Sequence, residues 1–425
     1  MKYNNYIAEN YNEKEVNTHS WYNCKECGVI PQNNLSNSND TTIISKKVRV
    51  FPTQQQHMIL DKWMEIGRIV YNYTIKYFNR GGYGSFYTVR NNLRHDLPKH
   101  INNLIISSKI HSHIVCEAIH HAVSARKSAL TNYKNGNIKF FKLRCKKFYS
   151  PRKILAIDSA SFSKKYNTFS LNALGKYIKT SESIIGNNKC SLLQYDNGKY
   201  YLLIPYEVKV QKNNTSNCCG IDLGIRKFAT IYSPTSYTKV GSNCREKLTP
   251  LLNKLDKSNE QFKNKKCFKK YMQKRSKKIR NVVDDLHCKL CNYLCKKYKT
   301  IVMGRLSTKG ITNKKFGGLV KMSKRLAYRL SYYRFTTRLI NKMKQFGGDV
   351  IVINESYTSR MCSNCIKLNA KTKSEVFNCK HCGITIDRDV NGACNMMIKY
   401  VERTKWGNAT PHQRKPILHT ICPIV

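Results

Sequence analysis

Acidic residues are scarce in this chain of 425 residues, which has 25 Asp and Glu against 76 Lys and Arg and a formal net charge of +51. Such a protein repels itself unless a polyanion is bound, and the phosphate backbone of a nucleic acid is the polyanion that we expect. An AT-rich genome would also explain an excess of Lys and Asn. It does not explain the shortage of Asp and Glu, because their codons are not especially rich in G and C.

Long apolar runs are missing as well. No run reaches the roughly 18 to 20 residues of a membrane-spanning helix, and residues 1–6 lack the apolar segment of a secretion signal. We therefore expect an intracellular protein whose 18 cysteines are reduced. A nucleus and a cytoplasm both stay open as the compartment, since the basic segment 263–280 suits either nuclear import or phosphate binding.

Two Cys-x-x-Cys pairs lie near the C-terminus, Cys362 with Cys365 and Cys379 with Cys382. Two such pairs separated by a short loop fit four thiolates around one tetrahedral Zn²⁺. Four thiolates leave no open coordination position, so we predict a structural zinc ion rather than a catalytic one.

Two other Cys-x-x-Cys patterns have simpler interpretations. Cys24 and Cys27 stand in an arm rich in Asn and Ser, residues 1–43, which we predict to be disordered. Without a second pair nearby, a free dithiol is the favoured interpretation there. Cys288 and Cys291 lie on a helical apolar stripe, which explains them better than a ligand pair does.

The N-terminal half is predicted to pass from a strand to helices and then to further strands. Apolar residues alternate with basic ones over 44–53, helical spacing follows within 54–137, and residues 138–215 favour strands. The surest element is a hairpin of 191–195 and 200–204 around Asn197-Gly198, because Asn-Gly is a strong hairpin signal. This order suggests a β-barrel with a helical insertion.

The C-terminal half is predicted to be an α/β sheet. Its short apolar strands alternate with helices, among them a basic helix over 263–280, a long helix over 322–346 and a last helix over 390–400. Asp222 lies on the first strand, Glu355 follows a later strand, and Asp389 starts the last helix. Acids from three such elements can converge at the strand ends and hold two Mg²⁺ ions for phosphodiester hydrolysis.

At these residues the chain resembles a known family. The segments GIDLGIRKFAT, ESYTSRMCSNC, CKHCG and DRDVNGACN look like the RuvC-like core of the transposon-encoded TnpB proteins, RNA-guided DNA endonucleases related to type V CRISPR effectors. VRVFPTQQQHMIL and IVYNYTIKYF are similar to the opening of that family. The resemblance covers roughly residues 44–400 and is most specific in the last 45.

One position departs from the TnpB pattern. TnpB proteins usually carry a middle catalytic Glu after a strand, and Gly304 stands at that place here. The relatives called Fanzor, from eukaryotes and giant viruses, show the same loss with a replacement Glu just before the zinc knuckle, where this chain has Glu355. The sequence therefore resembles Fanzor, with Asp222, Glu355 and Asp389 as the implied catalytic and Mg²⁺-binding residues. Asp387 is the second choice of ligand.

The resemblance also implies an architecture. It consists of a wedge-type β-barrel (44–53 and 138–215), a helical recognition insertion (54–137), an RNase H-like RuvC nuclease domain (216–400) with a zinc ribbon inserted at 358–384, and a C-terminal tail (401–425). The expected partners are a guide RNA and target double-stranded DNA, with one protein copy per guide RNA. One RuvC site would cut both DNA strands in turn, next to a short target-adjacent motif.

Further residues are candidates for contacts with nucleic acid. Arg388, Asn391 and Asn395 resemble supporting or phosphate-binding residues, and Asn391 could equally cap the last helix. The basic helix supplies the remaining candidates, which are Lys269, Lys270, Lys274, Arg275, Lys277, Lys278 and Arg280.

Two rival functions remain open. Gly304 motivates an RNA- and DNA-binding protein without nuclease activity, such as a transposon accessory protein or repressor. A RuvC-type junction or transposase-like enzyme that uses no RNA is the other rival.

Overall fold

The computed structural model describes residues 41–405 except 151, 176, 185–189, 212–216, 264–266, 314–318, 371 and 373, and it leaves the side chains of 94, 262, 269, 270 and 401–405 undescribed. Residues 1–40 of the predicted arm, with Cys24 and Cys27, lie outside the described residues, and so does the tail beyond 405. The last three positions of the predicted arm belong instead to the first strand, which begins at Thr41.

The described residues form fourteen strands and eleven α-helices. The strands are β1 (Thr41–Phe51), β2 (Arg152–Ile157), β3 (Phe162–Ser163), β4 (Thr168–Phe169), β5 (Lys179–Thr180), β6 (Ser191–Asp196), β7 (Tyr200–Lys209), β8 (Cys218–Leu223), β9 (Ala229–Ser233), β10 (Ser236–Val240), β11 (Thr300–Gly304), β12 (Asp349–Ile353), β13 (Val376–Asn378) and β14 (Thr385–Asp387). The helices are α1 (Gln54–Asn79), α2 (Phe86–Asp96), α3 (Lys99–Ser107), α4 (Ser112–Lys134), α5 (Leu171–Leu174), α6 (Cys244–Phe262), α7 (Phe268–Lys297), α8 (Thr308–Thr312), α9 (Lys321–Leu330), α10 (Tyr332–Gln345) and α11 (Arg388–Lys405).

The N-terminal sheet has the strand order β2-β6-β7-β1-β5 and is antiparallel throughout. The predicted hairpin of β6 and β7 is confirmed, and Asn197 and Gly198 both have positive φ at its turn. Helices α1 and α4 cover this sheet around a core that includes Trp63 and Leu155. Among the described residues no pairing joins β2 to β5, so closure into a barrel stays a prediction.

The segment after α4 differs from the prediction. Strands were expected from residue 138, yet 138–150 has no regular secondary structure and β2 begins at Arg152. The reason is that side chains of α1 bind this backbone: Asn72 accepts from Lys146 N at 2.7 Å, and Asn79 donates to Leu143 O at 3.0 Å. The segment is thus paired with a helix and not with a strand.

The C-terminal sheet has the order β10-β9-β8-β11-β12, in which β8, β11 and β12 are parallel and the hairpin strands β9 and β10 complete it antiparallel. Ile301 and Met303 face a large core shared with α6, α7, α9 and α10, while Val302 faces Met396 of α11 on the other side. The sheet is therefore covered on both faces, and the predicted α/β class is confirmed.

The predicted single helix over 322–346 is wrong in one respect. It is two helices, because Ser331 adopts a left-handed conformation (φ 51°, ψ 55°) between α9 and α10. The two parts pack in different directions: Arg325 of α9 binds Asp256 of α6 through both carboxylate oxygens, whereas the Tyr332 hydroxyl of α10 donates to Gly224 O at 2.8 Å. Apolar spacing continues across the break, which hides it in the sequence.

Fourteen cysteines of the described residues carry free thiols. No helix within the described ranges combines the length and the apolar character needed to cross a membrane.

Candidate functional site

Three carboxylates meet where the parallel strands of the C-terminal sheet end. Asp222 is the fifth residue of β8, Glu355 follows β12 by two residues, and Asp389 is the second residue of α11. All three side chains are half-buried. Burial, together with the negative charges of Asp389 and Glu355, raises the pKa of Asp222 to about 8. The structure thus brings the three predicted acids into electrostatic contact, an arrangement that a bound cation would relieve.

Glu355 occupies the space beside Gly304. A Cβ atom at position 304 would lie 2.6 Å from Glu355 Oε2 and 3.0 Å from Glu355 Cβ. Gly304 ends β11 and pairs with Ile353 of β12, so Glu355 reaches across from the neighbouring strand end. Burial raises the pKa of Glu355 from its ordinary value. A side chain at 304 and the present position of Glu355 therefore exclude each other.

Two other glycines bring α11 close to the acids. A Cβ on Gly220 of β8 would lie 2.1 Å from Ala393 O, and a Cβ on Gly392 would lie 2.9 Å from Asp222 Oδ2. Only residues without a side chain allow the strand that carries Asp222 to approach the helix that carries Asp389 this closely. Both glycines stand in the segments that resemble the family, GIDLGIRKFAT and DRDVNGACN, but the sequence alone does not reveal this role.

Asp387 caps α11. Its Oδ1 accepts hydrogen bonds from the backbone N–H groups of Asp389 and Val390 at 3.0 and 3.1 Å, and its Oδ2 lies 2.6 Å from Lys239 Nζ. Although burial opposes ionisation, Lys239, the Val390 N–H and Lys227 hold the pKa of Asp387 below its ordinary value. These bonds are shorter than the contacts of Asp389, whose nearest cations lie 3.3 and 3.8 Å from its oxygens, which favours Asp389 over Asp387 as a metal ligand.

Two cations border the acids. Arg388 lies 3.3 Å from Asp389 Oδ1, and Lys227 Nζ lies 3.8 Å from Asp389 Oδ2. Arg388 was a predicted contact residue, whereas Lys227 was not singled out, although it stands within the segment GIDLGIRKFAT that carries Asp222. Both can balance the negative charge of the site and of an approaching phosphate.

Asn391 and Asn395 fasten the segment between Glu355 and the first cysteine pair to α11. Asn391 donates to Met361 O at 2.8 Å and accepts from Ser363 N at 2.9 Å, and Asn395 donates to Thr358 O and Met361 O. Both side chains are fully buried. The cap expected as an alternative for Asn391 is wrong, because that place belongs to Asp387, and neither amide is open to a phosphate.

The four predicted zinc ligands form one cluster. Cys362 Sγ lies 3.7 Å from Cys382 Sγ, Cys365 Sγ lies 3.6 Å from Cys379 Sγ, and all four sulfur atoms lie within 4.8 Å of one another. Ligands about 2.3 Å from a tetrahedral Zn²⁺ would be roughly 3.8 Å apart, so the spacing fits the ion. Burial opposes ionisation of Cys379, but the N–H groups of His381 and Cys382 outweigh it and lower the pKa of the thiol to about 6.

The carboxylates are spread more widely than the thiols. Within the described ranges, the cysteines are the only group in which three or more ligand atoms of His, Cys, Asp or Glu lie within 4.8 Å of one another. The oxygen ligands of Asp222, Glu355 and Asp389 suit Mg²⁺, which usually keeps several waters and is held by few protein carboxylates.

The predicted basic helix is α7, and part of it borders a cavity between the N-terminal sheet and the helices α7, α9 and α10. Lys277 and Arg280 line this basic cleft of about 800 Å³, Lys274 and Lys278 are exposed, and Arg275 lies over the Tyr271 ring. The side chains of Lys269 and Lys270 lie outside the described residues. The other basic residues of the cleft were not predicted, because they come from distant segments; they are Lys47, Arg152, Arg329 and Arg334.

Three basic side chains surround Tyr201 of β7 on the wall of the cleft. Lys47 Nζ lies 4.2 Å from the centre of its ring, the Arg49 guanidinium lies 5.0 Å from it, and Lys277 Nζ is 3.5 Å from its hydroxyl. This aromatic and basic cluster suits a phosphate backbone or a base.

Comparison with known proteins identifies the family. The TnpB-like protein R854 of Acanthamoeba polyphaga mimivirus is 32% identical over 434 residues, which cover 92% of this chain and 80% of the viral protein. The chain belongs to the TnpB-like proteins. The resemblance to the TnpB and Fanzor proteins is thereby confirmed, and it extends well beyond the short motifs that first indicated it.

Three family profiles match separate segments of this TnpB-like chain. The profile described as "Cas12f1-like, TNB domain" matches residues 332–396, which hold Glu355, Asp389 and the four cysteines. "Probable transposase" matches residues 203–315, with Asp222 and Gly304, and "Helix-turn-helix domain" matches residues 42–80. The candidate site is thus assembled from two of the matched segments.

Other matches are more distant. The "Putative RNA-guided DNA endonuclease InsQ" of Escherichia coli is 25% identical over 235 residues, covering 52% of this chain and 58% of that protein. The structure titled "Cryo-EM structure of the Cas12f1-sgRNA-target DNA complex" matches at 15% identity with a TM-score of 0.35, covering 84% of this chain and 98% of that one.

Proposed function

We propose that this TnpB-like chain is an RNA-guided DNA endonuclease that hydrolyses target double-stranded DNA next to a short target-adjacent motif. The observation that carries the proposal is the position of Glu355, whose carboxylate lies where a side chain at Gly304 would begin. The loss of an acid at 304 is compensated by an acid from the neighbouring strand end. Simple loss of the active site would not account for a carboxylate in this space.

The proposed nuclease domain is RNase H-like. Its support is the mixed sheet β10-β9-β8-β11-β12, with helices on both faces and acids at the ends of β8 and β12. Ligands of such sheets bind outside the carboxyl ends of the strands. We propose residues 216–400 for this domain, a zinc ribbon at 358–384, a wedge of 44–53 and 138–215 with recognition helices at 54–137, and a tail from 401.

Asp222, Glu355 and Asp389 would hold two Mg²⁺ ions. Bound there, the ions would activate a water and stabilise the leaving oxygen of the phosphodiester. Arg388 and Lys227 orient and balance the charged groups around Asp389. The four cysteines would hold one structural Zn²⁺, whose ribbon is tied to α11 by Asn391 and Asn395.

The proposed partners are a guide RNA and target DNA, with one protein copy per guide. The basic cleft supports them, because Lys47 and Arg152 of one sheet and Lys277 and Arg280 of α7 face the same cavity. Asp196 and Asp284 also line the cavity, but the basic residues outnumber them, and a groove with net positive charge from several elements is suited to a nucleic-acid backbone. The name of the Escherichia coli relative supports RNA guidance and DNA as the substrate.

The test is cleavage of a plasmid in Mg²⁺ by protein co-expressed with RNA from its own flanking locus. The plasmid carries the matching target beside a randomised flank, and wild type is compared with Glu355→Gln. Glu182→Gln is the matched control, since Glu182 lies in the N-terminal half and binds Lys46 at the surface, 2.6 Å away. We expect cleavage by wild type and by the control, and a loss of at least 100-fold in Glu355→Gln.

Other outcomes would select a rival. RNA and target binding without cleavage by any protein would favour the binding protein that Gly304 first suggested. Cleavage that is independent of RNA would favour a junction or transposase-like enzyme. Equal cleavage by wild type and Glu355→Gln would remove Glu355 from the site.

A further inference from the structure

Residues 138–150, which we call the strap, lie along α1 far from the three acids in sequence. Asn72 binds both polar backbone groups of Lys146, at 2.7 Å to N and 3.0 Å to O, and Arg68 Nη1 donates to the same carbonyl at 3.2 Å. Asn79 donates to Leu143 O at 3.0 Å. Because α1 satisfies backbone groups of the strap, the strap holds its shape without a partner strand and presents its own side chains outward.

The outward side chains are aromatic and basic. Phe140 is 82% exposed, Tyr149 is 77% exposed and Phe148 is 50% exposed. Exposed large aromatic groups gathered in one segment mark a binding surface. The basic side chains that alternate with them are exposed too, and they are Lys139, Lys142, Arg144, Lys146 and Lys147. Aromatic rings with interleaved cations are the surface that binds single-stranded nucleic acid, by stacking and by phosphate contacts.

A cavity of about 370 Å³ opens beside the strap, between α1, α4 and β2. Its apolar wall includes Met64, Ile114 and Leu155, and Lys146 and Lys147 of the strap are part of its lining. Arg68 and Lys153, which also line it, lie 5.6 and 5.7 Å from the centre of the Phe148 ring. Phe148 therefore stands at the mouth of a cavity whose size falls in the range of small-ligand sites.

The polar groups inside the cavity favour a base over a phosphate. Glu117 and His121 line it, and a carboxylate repels phosphate but accepts hydrogen bonds from an exocyclic amino group. Burial and the nearby charge of Lys146 lower the pKa of His121, so its ring is neutral at pH 7 and offers one donor and one acceptor. Three other cations of the lining are paired with acids, Arg68 with Glu65, Arg152 with Asp196 and Lys153 with Asp61. Lys146, whose Nζ lies 3.7 Å from the centre of the Tyr71 ring, and Lys147 are left for a phosphate.

We propose that this cavity binds one unpaired nucleotide of a single strand, with the base beside Glu117 and His121, the phosphate on Lys146 and Lys147, and neighbouring bases stacked on Phe148 and Tyr149. The inference rests on the proposed function only in taking RNA and DNA as partners. It does not depend on cleavage.

The first test measures the affinity of the full chain, freed of RNA, for fluorescent 12-nucleotide probes of cytidine or uridine and of their deoxy counterparts. Fluorescence anisotropy at about 0.5 M salt suppresses phosphate contacts and leaves stacking. The double variant Phe148→Ala/Tyr149→Ala should bind at least fivefold more weakly, because each stacked base contributes about that much or more. The control is Tyr83→Ala/Tyr87→Ala, at residues that are 75% and 66% exposed.

A loss confined to the ribose probes assigns the site to RNA, and a loss confined to the deoxyribose probes assigns it to DNA. Either result supports the proposal. Unchanged binding, or an equal loss in the Tyr83 and Tyr87 control, overturns it.

The second test concerns the base. Wild type should bind the cytidine probe more tightly than the uridine probe, since only cytosine donates from an exocyclic amino group, and Glu117→Gln should reduce that preference at least threefold. An unchanged preference would contradict a base inside the cavity. Neither test uses the nuclease site, so a chain that cleaves nothing can still confirm the nucleotide site, and one that cleaves can refute it.

Discussion

At the scale of the residue, the candidate site depends on positions that carry no side chain. Gly304 leaves room for Glu355, and Gly392 leaves room for Asp222. The roles of these glycines follow from distances between strands and a helix, which no local pattern reveals. The acids themselves were recognisable from the sequence because each stands beside a strand end or a helix start.

Gly304→Ala tests this view of the site. Its methyl group would lie 2.6 Å from Glu355 Oε2 and 2.7 Å from Met396 Cε, so the Glu355 carboxylate must move. We expect target cleavage to fall by at least tenfold while RNA binding is retained. Gly310→Ala is the control, because its nearest neighbour would be at 3.4 Å. Cleavage at the wild-type level by Gly304→Ala would show that the position of Glu355 is unimportant.

His287 makes the fold sensitive to acid. It is fully buried and its Nε2 lies 3.0 Å from Leu330 O. Burial, with the charges of Arg338 and Arg334, lowers its pKa to about 4, although Asp284 opposes the shift. The unfolded histidine titrates near 6.5, so only the unfolded chain binds this proton between pH 6.5 and 4. The free energy of unfolding should therefore decrease as the pH is lowered from 6.5 to 4, by up to about 3 kcal/mol.

The measurement is the free energy of unfolding of wild type and His287→Gln from denaturant titrations at pH 7 and 5. The variant cannot bind the proton, so its loss between the two values should be smaller by about 2 kcal/mol. An identical loss in both proteins would mean that other groups cause the acid sensitivity.

At the scale of the element, sequence patterns predicted most strands and helices of the C-terminal sheet, because apolar spacing reports which face is buried. They failed where a side chain from another element decides the backbone. The strap is held by Asn72 and Asn79 of α1, and the break at Ser331 follows from two different packing partners. Only part of the basic cleft could be predicted. The run of basic residues in α7 is evident in the sequence, whereas Arg152 and Lys47 come near it only in the folded chain.

The break between α9 and α10 predicts that glycine changes the free energy of unfolding in opposite directions at two serines. Ser331 has φ 51°, which glycine adopts without strain, so Ser331→Gly should raise the free energy of unfolding by up to about 1 kcal/mol. Ser323 lies inside α9, and Ser323→Gly should lower it by about 0.5 kcal/mol. Denaturant unfolding of both variants provides the check, and a lowering by Ser331→Gly would contradict the assigned conformation.

At the scale of the whole molecule, part of the net charge of +51 is concentrated along one cleft. The two sheets have separate cores, and the cleft is lined by basic residues of the N-terminal sheet on one side and of α7, α9 and α10 on the other. Several acids away from the site are paired with Arg or Lys, as Asp256 is with Arg325 and Asp284 with Arg334. The cleft is therefore the expected path of a nucleic acid toward the carboxylates.

Salt dependence should distinguish the cleft from the rest of α7. Lys277 faces the cleft, while Lys289 is on the same helix, exposed and paired with Asp285 at 2.8 Å. Lys277→Ala should reduce the slope of log affinity against log salt by about 0.7 to 0.9, the value of one phosphate contact, and Lys289→Ala should leave it unchanged. Equal slopes in the two variants would show that the charge acts without regard to the cleft.

If the Glu355 carboxylate replaces an acid at position 304, then exchanging the residues at the two positions should preserve a working site. Guided cleavage is measured for Glu355→Gly and for the double variant Gly304→Glu/Glu355→Gly, each with its RNA. We expect the single variant to lose cleavage and the double variant to recover at least part of it, because the new carboxylate enters the space that the old one has left. Cleavage by Glu355→Gly at the wild-type level would contradict the account.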